Sequence, residues 1–347
     1  MSSKNQYFVD RWSYLVKKFN LSAELIIVEW NPPKNKNLLK DELKIPHLEN
    51  SQKIKIITVS NKTHMKFKNS EKIDFFQMKA KNVGIRNAEG KFILCTNIDI
   101  VFSSEMIEYL SLQKLKEDKV YRADRYDIDF DRFDLIDPDE NIYEKNIRLK
   151  NKKLYSIDCL TKKKYYVYPH FLGFFGYFKN GFLRLSNIFK KKEFKSNFLS
   201  TDDKAKKINK KRLIQVKEFF ESFYNYFVKF FFYPKIHTNG CGDFTLCSKQ
   251  IWFECRGYFE FDGYSFHVDS LFLWVAHYKK FKSIDLKHKI FHINHKLGSG
   301  FTFGDNTLEK RLNDKEIPFI SDKEVNDYIK KIRRGDIKNY NLNWGEY

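Results

Sequence analysis

Residues able to do chemistry concentrate at a few places. In Cys-Thr-Asn-Ile-Asp-Ile (95–100) an apolar run ends in Asn97 and Asp99. Alternation along a strand would point both side chains to one side. An amide oxygen beside a carboxylate suits a hard divalent cation, which can bridge the oxygens of a diphosphate. The same pair would serve equally as caps for a helix beginning near Ser104. His-Ile-Asn-His (292–295) offers His295, or failing that His292, as a late imidazole ligand, or else as a hydrogen-bonded packing residue. Neither has a cysteine at finger-like spacing, which argues against zinc. Arg122, Arg125 and Asp127 would touch phosphate or sugar, the arginines through bidentate guanidinium contacts, or else form exposed ion pairs. Asp269 opens an apolar helix, where backbone amides and the helix dipole hold a carboxylate ionised. There it is a general base or a cap.

The elements that must position these groups alternate. Phe8, Trp12, Leu15, Val16 and Phe19 fall at helical spacing. A β-rich run (24–30) stops at Asn31-Pro32-Pro33, and a second strand is expected at 53–60. A helix is expected over 72–88, a single strand over 91–102, a Ser-capped helix from 104 to about 115, and a strand over 119–128. Farther on, 243–253 reads as a strand turning into a helix, 265–278 as a helix and 289–295 as a late strand. Strands alternating with helices predict a parallel sheet covered on both faces, with ligands at the carboxyl ends of its strands.

The 347 residues carry a formal charge of +20, which attracts polyanions such as nucleic acid, anionic lipid or phosphorylated small molecules. Half of that excess, a net +10, lies in residues 171–237, with 15 of the 35 phenylalanines. Leu213, Val216, Phe220, Phe223, Phe227 and Phe231 mark one apolar helical face there, so an amphipathic insertion is expected. The odd cysteine count, five with no CxxC pair, argues against a disulfide framework. No apolar run reaches the ~18 residues of a membrane span, and the start lacks a secretion signal, so a cytoplasmic protein is expected.

Upstream of Asn97-Ile98-Asp99 lies Asn82-Val83-Gly84-Ile85-Arg86-Asn87-Ala88-Glu89-Gly90. This order resembles the GT-A glycosyltransferases, especially the family 2-like branch. In that family an Asn/Arg/Asn-bearing helix ending in Ala-x-Gly leads into a strand that ends at an Asp-x-Asp motif. Here Asn97 stands in place of the first aspartate, which leaves Asp99 as the metal ligand that the resemblance implies. Glu29 matches an acidic strand end that holds the nucleotide's base or ribose. Gly242-Asp243-Phe244, Gly257-Tyr258-Phe259-Glu260 and His267-Val268-Asp269 follow the family's acceptor-side order, with His267 replacing the first acid of the usual pair. The family opens with an apolar strand whose loop begins the nucleotide site; seven residues precede Phe8, so that strand is expected to be missing or to lie upstream.

The resemblance implies an α/β protein with a GT-A (nucleotide-diphospho-sugar transferase), Rossmann-like mixed, mostly parallel sheet, flanking helices and a basic, Phe-rich helical insertion. It divides the chain into a nucleotide-sugar half (1–130), the insertion (131–235), an acceptor half (236–303) and a tail (304–347). The implied reaction is metal-dependent transfer of a sugar from a nucleotide-diphosphate sugar donor to a hydroxyl of a glycan or lipid-linked acceptor. Mn2+ or Mg2+ would be held by Asp99 and His295. Asp269 is the expected base, and Glu29, Asn82, Arg86, Asn97 and Asp243 the expected donor contacts. The insertion would rest peripherally on the inner face of a membrane. Two other classes compete. One is a non-catalytic glycan- or membrane-binding module on the same fold; the other is a nucleic-acid binder, disfavoured because no recognised nucleic-acid motif accompanies the charge.

Overall fold

The computed structural model describes residues 2–129, 156–158, 163–165, 236, 238, 240–294, 307–336 and 343–347. The chain divides into two units, Met1–Ile157 with Thr238–Tyr347 and Asp158–His237. The amphipathic helix expected at 211–233 and His295 lie outside the described residues.

In the first unit, helix α1 (Ser2–Lys18) buries Phe8, Trp12, Leu15 and Val16 as their spacing predicts, together with Val9, while Phe19 lies past its end and is half-buried. Strand β1 (Ala23–Trp30) pairs in parallel with β2 (Gln52–Val59), and short helices α2 (Leu39–Glu42) and α3 (Asn61–His64) follow the two strands. Helix α4 (Gln77–Asn87) starts later than expected, leaving Ile73 and Phe76 buried ahead of it. The strand expected over 91–102 is two: β3 (Phe92–Thr96) and β4 (Ile100–Phe102). Between them the Ile100 N–H closes a turn on the Asn97 carbonyl (3.2 Å). Ser103 caps α5 (Ser104–Ser111), accepting from the Met106 N–H.

The second half of the unit returns into the same sheet. Strand β5 (Lys119–Asp129) joins that sheet; two short strands later in the chain, β6 (Ser156–Asp158) and β7 (Lys163–Tyr165), form a separate two-stranded sheet, and β7 belongs to the second unit. Strand β8 (Phe244–Ser248) is buried along its whole length and leads into α6 (Lys249–Glu254). Helix α7 (Val268–Tyr278) precedes β9 (Lys282–Asn294), which starts earlier than expected. The sheet order is β3-β8-β5-β9-β4.

The molecule is mixed α/β, but the expected mostly parallel sheet needs correction. Of the four pairings in the five-stranded sheet only β5 with β9 is parallel; β3–β8, β8–β5 and β4–β9 are antiparallel. The physical reason is β8: it enters between β3 and β5 in the opposite sense, carrying Phe244, Leu246 and Cys247 into the core.

The tail, polar in sequence, folds as α8 (Thr307–Asp314) and α9 (Asp322–Arg333), the latter opened by a Ser321–Glu324 capping box. Beyond it Trp344 is buried, and the Tyr347 ring stands edge-on to Phe67 (centroids 4.9 Å apart) and Trp30 (6.0 Å). Cys95, Cys241, Cys247 and Cys255 are all buried. Desolvation raises the pKa of Cys95, Cys247 and Cys255, the last to about 12, so these are packing groups rather than nucleophiles. Among the described residues no helix is long and apolar enough to cross a membrane.

Candidate functional site

A chain of polar side chains crosses the sheet where β3 ends and β8 begins. Asn97, just past β3, donates from Nδ2 to Asp243 Oδ1 (2.7 Å), and Arg125 of β5 donates to Asp243 Oδ2 (2.8 Å). The Asp243 carboxylate is buried, so the guanidinium and the amide together offset its desolvation. On the other side of Asn97, Gln77 donates to its Oδ1 (3.0 Å) and in turn accepts from the Ser265 hydroxyl (2.8 Å). Thr96 anchors the crossing by donating to the Asp243 carbonyl (2.7 Å).

Asp269 meets the same place from α7. The helix begins at His267, held in the left-handed region (φ 62°), and His267 makes no side-chain cap. Asp269 therefore lies inside the first turn, where its Oδ1 accepts from the Ser270 N–H (2.9 Å). The N-cap position is thus His267 rather than Asp269. Its Oδ2 faces Gly242 so closely that a Cβ there would stand 2.8 Å away. Lys81 reaches Gly242 as well, donating from Nζ to its carbonyl (2.5 Å). A carboxylate, an ammonium group and the Asp243 assembly thus converge on one turn, 240–243.

Asp99 points elsewhere than Asn97, because both lie in the turn rather than along a strand. The β4–β9 register sets Ile100 opposite His292, and Asp99 Oδ2 stands 3.4 Å from His292 Nε2. His292 is therefore an imidazole at Asp99; His295 lies outside the described residues.

Glu29 is nine-tenths buried at the end of β1; its two oxygens accept from the Leu39 N–H (2.9 Å) and the Thr58 hydroxyl (3.1 Å). Together with Gln77, Lys81, Asn97 and Asp99 it lines a cavity of about 1030 Å³.

Asn82 and Arg86 do not line that cavity. Asp243 and Asp269 do not line it either. Asn82 is fully buried; its amide bonds the Tyr258 carbonyl, the Tyr258 N–H and Glu260, at 2.8 Å each. Arg86 pairs with Glu346, and its guanidinium lies 5.1 Å from the Trp344 ring centroid. Both residues hold the 257–260 loop and the C-terminal segment. Arg122 is likewise buried, with its guanidinium on the Gly240 and Phe244 carbonyls, so it shapes the turn rather than meeting phosphate. The side chain of Asp127 lies outside the described residues.

Gln77, Lys81 and Ser265 were not singled out by sequence. The available signal was the four-residue spacing of Gln77 and Lys81, which puts both on one helix face. Glu260 was missed as a structural group: desolvation raises its pKa, while Asn82, Lys79 and the Gly345 N–H act against the rise.

The donor set for a cation was tested on the same geometry. Among the described residues no three His, Cys, Asp or Glu side chains group together. Asp99 and His292 supply one carboxylate oxygen and one imidazole nitrogen. Mg2+ and Mn2+ accept so sparse a protein contribution when water and diphosphate oxygens complete the shell.

No protein-family model matches the chain, and no curated protein matches it.

Proposed function

We propose that this protein transfers a sugar from a nucleotide-diphosphate sugar to a hydroxyl of a glycan or lipid-linked acceptor. The observation that carries the reading is the convergence of Asn97, Asp243 and Asp269, far apart in sequence, on the turn at the carboxyl end of β3. That convergence agrees with the order of motifs that suggested this chemistry.

In this reading the diphosphate lies at the polar mouth of the cavity, near Lys81, Asn97 and Asp99. Asp99 and His292 would hold a divalent cation there, which would supply positive charge against the departing diphosphate. Asp269 takes the proton of the acceptor hydroxyl as that oxygen bonds to the anomeric carbon and the bond to the diphosphate breaks. Lys81, held on the Gly242 carbonyl, offsets charge building on the leaving group. Asn97 and Arg125 hold Asp243 in place, so that the turn bearing Gly242 stays beside Asp269.

The test is incubation with Mn2+ and a panel of nucleotide sugars, with release of nucleoside diphosphate measured. Release with at least one donor is expected. No release from any donor would overturn the transferase reading; donor binding without release would favour the non-catalytic module. That second reading draws support from Asp243, whose carboxylate is already occupied by Arg125 and Asn97.

A further inference from the structure

We propose that Gln77 is a positioning residue for Asp269, joining through one side chain the two segments that support that carboxylate. Ahead of Asp269, the Val268 N–H closes a turn on the Ser265 carbonyl (3.3 Å), and the Ser270 hydroxyl donates to the His267 carbonyl (2.7 Å). Ser265 thus sets the entry to α7. Facing Asp269 is Gly242, in the turn that the Asp243 N–H closes on the Gly240 carbonyl (3.0 Å). Gln77 ties the first support to the second. It accepts from the Ser265 hydroxyl (2.8 Å) and donates to Asn97 (3.0 Å), which donates in turn to Asp243 (2.7 Å).

Each bond dictates the sense of the next. A guanidinium has no acceptor, so Asp243 Oδ2 accepts from Arg125. Asn97 presents its NH2 group to Asp243 Oδ1, which turns its oxygen toward Gln77. Gln77 must then offer its NH2 group to Asn97 and its oxygen to Ser265, whose hydroxyl donates. Turning the Asn97 amide over would set its oxygen against the carboxylate; turning the Gln77 amide over would set two amide oxygens face to face. The terminal torsion of an amide is broad and roughly two-fold, so the chain of bonds is what selects one arrangement. Its footing is firm. Gln77 is the first residue of α4, and one turn on, Lys81 donates to the Gly242 carbonyl (2.5 Å). One helix end therefore holds both supports of Asp269. The chemical consequence rests on the proposed reading of Asp269 as the base; the chain of hydrogen bonds does not.

The test perturbs one end of the chain and reads the other. Hydrogen exchange of the Val268 and Ser270 amides is measured in the full-length native protein and in Asn97→Ala, each with and without Gln77→Leu, with β9 as the internal control. Asn97→Ala should speed exchange of the two amides about tenfold relative to β9, and should add nothing once Gln77→Leu is present. Gln77→Glu supplies a rescue. A carboxylic acid, like the amide, donates from one atom and accepts at the other, whereas a carboxylate only accepts. Compared with the native chain at the same pH, this variant should exchange normally at about pH 4 and about tenfold faster at about pH 8, on either side of the range in which a partly buried glutamate titrates. A side chain that merely filled space would show no such difference. An effect of Asn97→Ala that persists in Gln77→Leu, acceleration no greater than that of β9, or a Gln77→Glu variant that behaves alike at both pH values would each overturn the proposal. None of these measurements needs a donor, so they fail or succeed apart from the transferase reading, which nucleoside-diphosphate release tests.

Discussion

Replacing Asn82 by alanine separates a structural from a ligand-binding role for that residue. The Asn82 side chain is fully buried, and its amide satisfies both the N–H and the C=O of Tyr258, itself fully buried. Gly257 approaches so closely that a Cβ there would stand 2.5 Å from Asn82 Oδ1, and one on Gly345 would stand 2.7 Å from the Asn82 carbonyl. Water cannot enter such contacts without moving the backbone. Alanine leaves two buried backbone groups without partners at roughly 1–3 kcal/mol each, so the loss of stability should be about 2–6 kcal/mol. Urea unfolding measures it as a fall in midpoint at constant m. A change below about 0.5 kcal/mol, the range of an ordinary surface substitution, would refute the structural role. Undiminished stability with lost nucleotide affinity would restore Asn82 to the donor site.

Three further predictions concern the turn and the tail. Desolvation raises the Glu260 carboxyl above its unfolded pKa, so the folded state binds the proton more tightly. Stability should be highest below the ordinary glutamate range and should fall as pH rises through the window up to the raised pKa. Glu260→Gln should remove that slope from a series of unfolding midpoints, and identical slopes would contradict it. Gly242→Ala places a Cβ 2.8 Å from Asp269 Oδ2 at a backbone angle alanine tolerates. Displacing the carboxylate by ~1 Å should cost about 100-fold in nucleoside-diphosphate release with little loss of stability; unchanged release would remove the Gly242 contact from the mechanism. Asp269→Asn should keep donor binding and lower transfer by about 10²–10⁴-fold, and normal transfer would eliminate Asp269 as the base.

Periodicity was a good guide where burial is one-sided. The apolar stripe of α1 carries its burial pattern in its spacing. Strand direction was not legible. That β8 enters antiparallel between β3 and β5 depends on long-range pairing, which no local pattern encodes. The break at Asn97–Asp99 was hidden because flanking apolar residues continue through a one-bond turn. That Asn97, Asp243 and Asp269 come together could be anticipated only from their types and chain order. The bonds of Asn82 and Arg86 to the 257–260 loop and the C-terminal segment were not legible, because an amide or a guanidinium looks alike in sequence whether it grips a ligand or a loop. The tail was passed over because its charges surround only a few anchors, such as Trp344 and Tyr347.

Titration calorimetry with nucleoside diphosphates in the presence of Mn2+, on the native chain and on Asp99→Ala, tests the sugar-nucleotide site most directly. At least one nucleoside diphosphate should bind the native chain, and the variant should bind it at least about tenfold more weakly, a loss of ~1.4 kcal/mol, at an unchanged unfolding midpoint. Equal binding by both proteins, or no binding of any nucleoside diphosphate, would contradict the account.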